Sequence, residues 1–120
     1  MQIDPDKLVR VLMLLRLTAL ILFLLNTAHS LHAYVARDVE QLKTTNHCES
    51  CDLENANLSF VNLSYARLRG ANLKNANLQS ANLERADLSQ VRLEGADLSR
   101  ARWVDGRRCK TGSIGTCILD

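Results

Sequence analysis

The chain has 120 residues, 47% of them hydrophobic, and a formal charge of +2, which bounds it to one domain. Residues 51–105 hold seven acids (Asp52, Glu54, Glu84, Asp87, Glu94, Asp97, Asp105) and seven bases (Arg67, Arg69, Lys74, Arg85, Arg92, Arg100, Arg102). That neutral, mixed stretch argues against a continuous field able to steer nucleic acid or imitate it; the surplus bases sit at the ends, as Lys7, Arg10, Arg16 and Arg107, Arg108, Lys110.

Residues 1–30 read as a signal peptide. Lys7, Arg10 and Arg16 form a basic flank, Leu17 to Leu25 is an apolar run, and Ala28-His29-Ser30 offers a small residue at both positions before a cut after Ser30. A second cut after Ala33 is the variant. The competing reading is an uncleaved membrane anchor, but a span needs about 20 predominantly apolar residues, and Arg16 interrupts the stretch from Leu8. Cleavage predicts an exported product, periplasmic or extracellular, with no membrane contact of its own.

Residues 31–50 are expected to form an amino-terminal cap. Arg37 to Thr45 predicts a short helix, with Val39 and Leu42 on one face, Asp38 and Glu40 near its start and Lys43 near its end. A cap is needed if the following segment is a stack, because the first coil otherwise exposes core and unpaired backbone.

Residues 51–105 are eleven five-residue units of the form A-[N/D]-L-x-x. Leu53, Leu58, Leu63, Leu68, Leu73, Leu78, Leu83, Leu88, Leu93 and Leu98 fill the third place, and Trp103 takes it in the last unit. Ala dominates the first place; Asn or Asp dominates the second, with Arg67, Arg92 and Arg102 as exceptions. A period of five fits neither a strand nor a helix. If successive leucines all point inward, the chain turns a corner in each unit, and four units close a square of twenty residues. Asn and Asp suit the corners because they bond nearby backbone, and their density disfavours helix.

The units Ala71-Asn72-Leu73-Lys74-Asn75, Ala76-Asn77-Leu78-Gln79-Ser80 and Ala81-Asn82-Leu83-Glu84-Arg85 resemble pentapeptide-repeat proteins. The resemblance covers residues 51–105, with 46–50 as a degenerate twelfth unit placing Cys48 where Leu belongs. It implies an all-β solenoid, a right-handed quadrilateral β-helix of slightly under three coils. Both flanks, Cys48-Glu49-Ser50-Cys51-Asp52-Leu53 and Trp103-Val104-Asp105-Gly106-Arg107 with Cys109 and Cys117, resemble segments that bracket such repeats in bacterial proteins.

A twenty-residue coil predicts surface ladders about 4.8 Å apart: Glu54, Lys74 and Glu94 above one another, Arg67, Asp87 and Arg107 on another face, and Tyr65 over Arg85. Trp103 is expected to cover the open end, and residues 106–120 to form a cysteine-containing cap. Four cysteines allow three pairings in an oxidising compartment. Cys109 with Cys117 is the preferred bridge, across a loop containing Gly112, Ser113 and Gly115. Cys48 and Cys51 form a C-x-x-C without the histidine of a haem site or the βαβ context of a redox motif, so they are expected to be bridged to each other or simply buried. A zinc site of His47, Cys48, Cys51 and a distant cysteine would need the chain ends to meet.

No Ser/His/Asp or Cys/His set and no glycine-rich phosphate loop is present. The sequence therefore predicts a non-catalytic scaffold, a structural or protein-interaction module without cofactor or metal and with no nucleic-acid partner. The alternative is a thiol–disulfide role at Cys48 and Cys51. The resemblance also implies a third role, duplex-DNA mimicry toward a topoisomerase, against which stand the short, neutral coil and the expected export.

Overall fold

The computed structural model describes residues 2–119, with the side chains of residues 25–34 outside the description. The chain divides into two compact units, Met1–Ala33 and Tyr34–Asp120. Both candidate cleavage points fall among residues 25–34, outside the described side chains.

Helix α1 runs Pro5–Thr45. Its start follows from Asp4, whose carboxylate accepts the Asp6 N–H at 3.1 Å, and from Pro5 at the first helical position, where a missing N–H costs nothing. In the first unit, large apolar side chains including Leu8, Val9, Leu12, Leu15 and Leu22 are exposed, so the helix has no single polar face there. Among the described residues no helix is long and apolar enough to cross a membrane.

The helix expected over Arg37 to Thr45 is thus the last part of a longer one, a correction to its length. Asn46 stops it. Its φ of 60° takes the left-handed conformation, and its N–H closes onto the Leu42 carbonyl at 2.9 Å. This last part presents Val39 and the fully buried Leu42 to the core of the coil.

From His47 the chain coils with a twenty-residue pitch. Parallel bridges join His47 to Arg67, Asp52 to Asn72, Asn57 to Asn77 and Asn62 to Asn82, and continue in that register to Asn82 with Arg102. Each five-residue side contributes one isolated bridge to the neighbouring coil rather than a long strand. Leu73 N–H donates to the Arg92 carbonyl at 2.8 Å, and Asn72 N–H returns to the Cys51 carbonyl at 2.9 Å. Residues 46–50 obey the same rule, with Cys48 N–H on the Arg67 carbonyl at 2.8 Å and the side chain fully buried. They are a twelfth unit.

The corners have one recipe. The N–H of each following first-place residue closes onto the third-place carbonyl three back, as from Ala76 to Leu73 at 3.0 Å, and the fifth-place residue lies at positive φ in every unit through Arg100; the last unit differs, with Gly106 rather than Asp105 at positive φ. Positive φ at the third turn residue alone defines a type II turn. The second-place Asn or Asp braces it: Asn72 Oδ1 accepts the Lys74 N–H at 3.3 Å, Asn82 Oδ1 the Glu84 N–H at 3.1 Å, and Asp97 Oδ1 the Ser99 N–H at 2.9 Å.

The leucines stack inward in four columns set by the register: Leu53–Leu73–Leu93, Leu58–Leu78–Leu98, Leu63–Leu83–Trp103 and Cys48–Leu68–Leu88. All are fully buried except Leu88, Leu93 and Trp103, which are only partly covered. The last coil is therefore covered unevenly, because the tail lies over one side of it. After Asp105 the chain turns at Gly106 and runs back, pairing Arg102 with Arg108 and Asp97 with Ile114 in antiparallel bridges. Trp103 packs against the core without sealing the end; over Leu98 the cover is Ser113, whose carbonyl accepts the Leu98 N–H at 2.8 Å.

Candidate functional site

The chemistry-bearing residues gather in three places: the two ends of the coil and its outer polar shell. At the first end Cys48 is bridged to Cys51, with Cα atoms 5.3 Å apart. Asp38 from α1 reaches into this corner. It is 2% exposed, its carboxylate accepts the Asp52 N–H at 3.0 Å, and its carbonyl oxygen lies 3.3 Å from Cys48 Sγ. Asn46 ties the same corner together, its amide donating to the Ser64 carbonyl at 2.7 Å while its own carbonyl accepts the Arg67 N–H. Bridged and buried, neither sulfur meets solvent appreciably: Cys51, the more open, is 7% exposed.

At the other end Cys109 is bridged to Cys117, with Cα atoms 5.1 Å apart. The enclosed loop folds around Ser113, whose buried hydroxyl donates to the Lys110 carbonyl at 2.8 Å and accepts the Ile118 N–H at 3.1 Å. Among the described residues no three His, Cys, Asp or Glu side chains converge as a metal set.

In the outer shell the expected columns follow the register, Arg67 bridged to Asp87 among them, but the ion pairs are made elsewhere. Arg67 pairs with Glu49 at 2.7 Å, Glu94 with Arg92 at 3.7 Å, and Arg107 with Asp105 at 2.7 Å; among the described residues no ion pair joins Glu54 to Lys74, Lys74 to Glu94, or Arg67 to Asp87. The register places those residues in columns; the Asn72 and Asn82 amides donate straight back to Asp52 and Asn62 at 3.0 and 3.3 Å, while other contacts run diagonally. A second-place side chain meets the fourth place of the preceding coil: Arg102 with Glu84 at 3.3 Å, Gln79 with Asp97 at 2.6 Å, Asn72 with Glu54 at 3.3 Å. For Asn72 and Asp97 the turn brace contributes. An Asn or Asp held against the N–H two residues on turns its other polar atom toward that diagonal neighbour. Arg107 leaves its expected column because the chain has already reversed. Tyr65 and Arg85 do stack vertically, with Nη1 donating to the phenol oxygen at 3.0 Å and the guanidinium 5.5 Å from the ring centre.

Three carboxyls of this shell are held below the usual value of 3.8. The Ser89 hydroxyl and N–H do so for Asp87, assisted by the charges of Arg69 and Arg67. Ser99 leads for Asp97, and the Arg107 guanidinium for Asp105. Each is stabilised as an anion by hydrogen-bond donors rather than poised as a general base.

Two residues of the first end were not singled out by sequence reasoning. Asn46 carried a usable signal, an Asn directly after a helical stretch, which is a helix stop. Asp38 read as a first-turn acid for a helix that in fact begins far upstream, and its role as a buried acceptor left no local mark.

The family model described as Pentapeptide repeats matches residues 51–90 in eight copies. Residues 51–90 are therefore a pentapeptide-repeat segment, in agreement with the twenty-residue coil. It is similar to a pentapeptide-repeat protein from the thylakoid lumen of Arabidopsis thaliana, at 34% identity over 47% of this chain, with a TM-score of 0.46. The match spans 39% of that chain. No curated protein matches in sequence.

Proposed function

We propose that this chain is a non-catalytic, exported pentapeptide-repeat scaffold, a right-handed quadrilateral coil that serves as a structural or protein-interaction module. The observation that carries the reading is the use to which its polar and sulfur groups are put. Asn and Asp brace turns, both cysteine pairs staple the two ends, and the third-place side chains build the core. Disulfides at both ends favour an oxidising compartment, periplasmic or extracellular. Partner capture by the purified chain in a pull-down, with no turnover of a broad substrate panel, supports this role; robust turnover overturns it.

A thiol–disulfide function at Cys48 and Cys51 is the second reading, favoured by their spacing and their bridge. Burial of both sulfurs weighs against it, since exchange requires an attacking thiolate to reach one of them. A reduction potential below about −300 mV would mark the bridge as structural, and a higher one would favour redox work. Topoisomerase binding ranks third, because diagonal pairing mixes both charge signs over the coil. Unaltered gyrase supercoiling in the presence of the protein is the expected result.

A further inference from the structure

At the carboxy-terminal end three arginines border one open cleft of about 310 Å³, lined by Ser80, Ala81, Asn82, Arg100, Arg102 and Arg108. The fold explains why they meet. Asn82 and Arg102 are bridged in successive coils, and the returning tail lays Arg108 against Arg102 in an antiparallel bridge. Ser80 and Arg100 occupy the adjoining corner, joined through the Ser80 N–H on the Ser99 carbonyl at 3.0 Å. Arg100 is held there by its own N–H on the Cys109 carbonyl, so the stapled tail positions two of the three.

The charges are not balanced locally. Arg102 has Glu84 at 3.3 Å, but among the described residues neither Arg100 nor Arg108 forms an ion pair. Asp105, three residues before Arg108 in the chain, is paired with Arg107. The Ser80 hydroxyl likewise has no hydrogen bond among the described residues. The bridge sets Arg108 opposite Arg102, and like charges on directly opposed residues disfavour a pairing; the single carboxylate of Glu84 beside Arg102 offsets one of the two charges.

We infer that this cleft binds a tetrahedral oxyanion, phosphate or sulfate, gripped by Arg100, Arg102 and Arg108 with Ser80 as a further donor. Guanidinium groups present planar forks of N–H donors that match such oxyanions, and these charge-assisted bonds are about twice as strong as neutral ones. Three guanidinium forks and a hydroxyl bordering one cleft offer more donors than the two oxygens of a carboxylate can use, and suit the three or four acceptor oxygens of a tetrahedral anion better. The site shares Asn82 with a turn brace and does not depend on the scaffold role.

The test uses the full chain, titrated calorimetrically with inorganic phosphate and, in a second arm, inorganic sulfate, at ionic strength fixed with chloride. Saturable binding of either anion is expected, weakened at least about tenfold in an Arg100→Gln/Arg108→Gln double variant and unchanged in Arg69→Gln. Thermal melting guards against a merely unfolded variant: without added oxyanion the double variant should melt no lower than the parent, and phosphate or sulfate should raise the melting temperature of the parent alone. Absence of saturation in both arms, or equal affinity in the double variant, overturns the site.

Discussion

Gly95 shows how closely the turn recipe constrains a single position. Its φ of 72° is left-handed, which a side chain strains whatever the space, and a Cβ built on it would also push the exposed Asn75 carboxamide one coil earlier aside. Gly95→Ala should therefore lower stability by about 1–3 kcal/mol, seen as a lower denaturant midpoint with an unchanged slope. Gln90, at the same turn place with φ 59°, is exposed. Gln90→Gly should stay within about 0.5 kcal/mol of the parent, because the strain relieved and the freedom gained by the unfolded chain oppose each other. Asp38 is the opposite case, a buried acceptor with one essential donor. Asp38→Ala leaves the Asp52 N–H without its partner and should cost about 1–3 kcal/mol.

The cap, the coil and the tail differed in how far they could be read from sequence. The coil was the most legible, because a five-residue period with Leu at its centre admits few closed shapes, and the twenty-residue bridges follow from it. Its outer contacts were less so. The charge columns are present in register, but the direction in which each side chain leans depends on its local turn and on which acid lies within reach, which a one-dimensional spacing does not encode. The tail was least legible: a cap over residues 106–120 is readable from its cysteines, but no periodicity marks the reversal at Gly106 or the placing of Ser113 over Leu98. Opening the Cys109–Cys117 bridge, by a Cys109→Ser/Cys117→Ser variant, should lower stability by about 2–3 kcal/mol in the chain-entropy model. Chemical denaturation of the two proteins side by side checks that value.

For the molecule as a whole, the exposed carboxyls set the acid limit. Asp87, Asp97 and Asp105 are lowered in the folded state relative to 3.8. A depressed folded pKa gives stability that is fully present above the unfolded value and is lost as pH falls through the folded one. Stability should therefore hold above about pH 5 and decline below about pH 4, and Asp87→Asn should flatten the decline. Denaturation midpoints measured across that range decide it; a decline just as steep in the variant would remove Asp87 from the account.

The central claim is a stapled, exported coil, and peptide mapping of the protein recovered from the exported fraction, alkylated without reduction, tests it most directly. The account predicts an amino terminus at Leu31 or Tyr34 with Cys48 joined to Cys51 and Cys109 joined to Cys117. Alkylated free thiols at these positions, or recovery of the chain only from the cytoplasm with its first thirty residues intact, would contradict it.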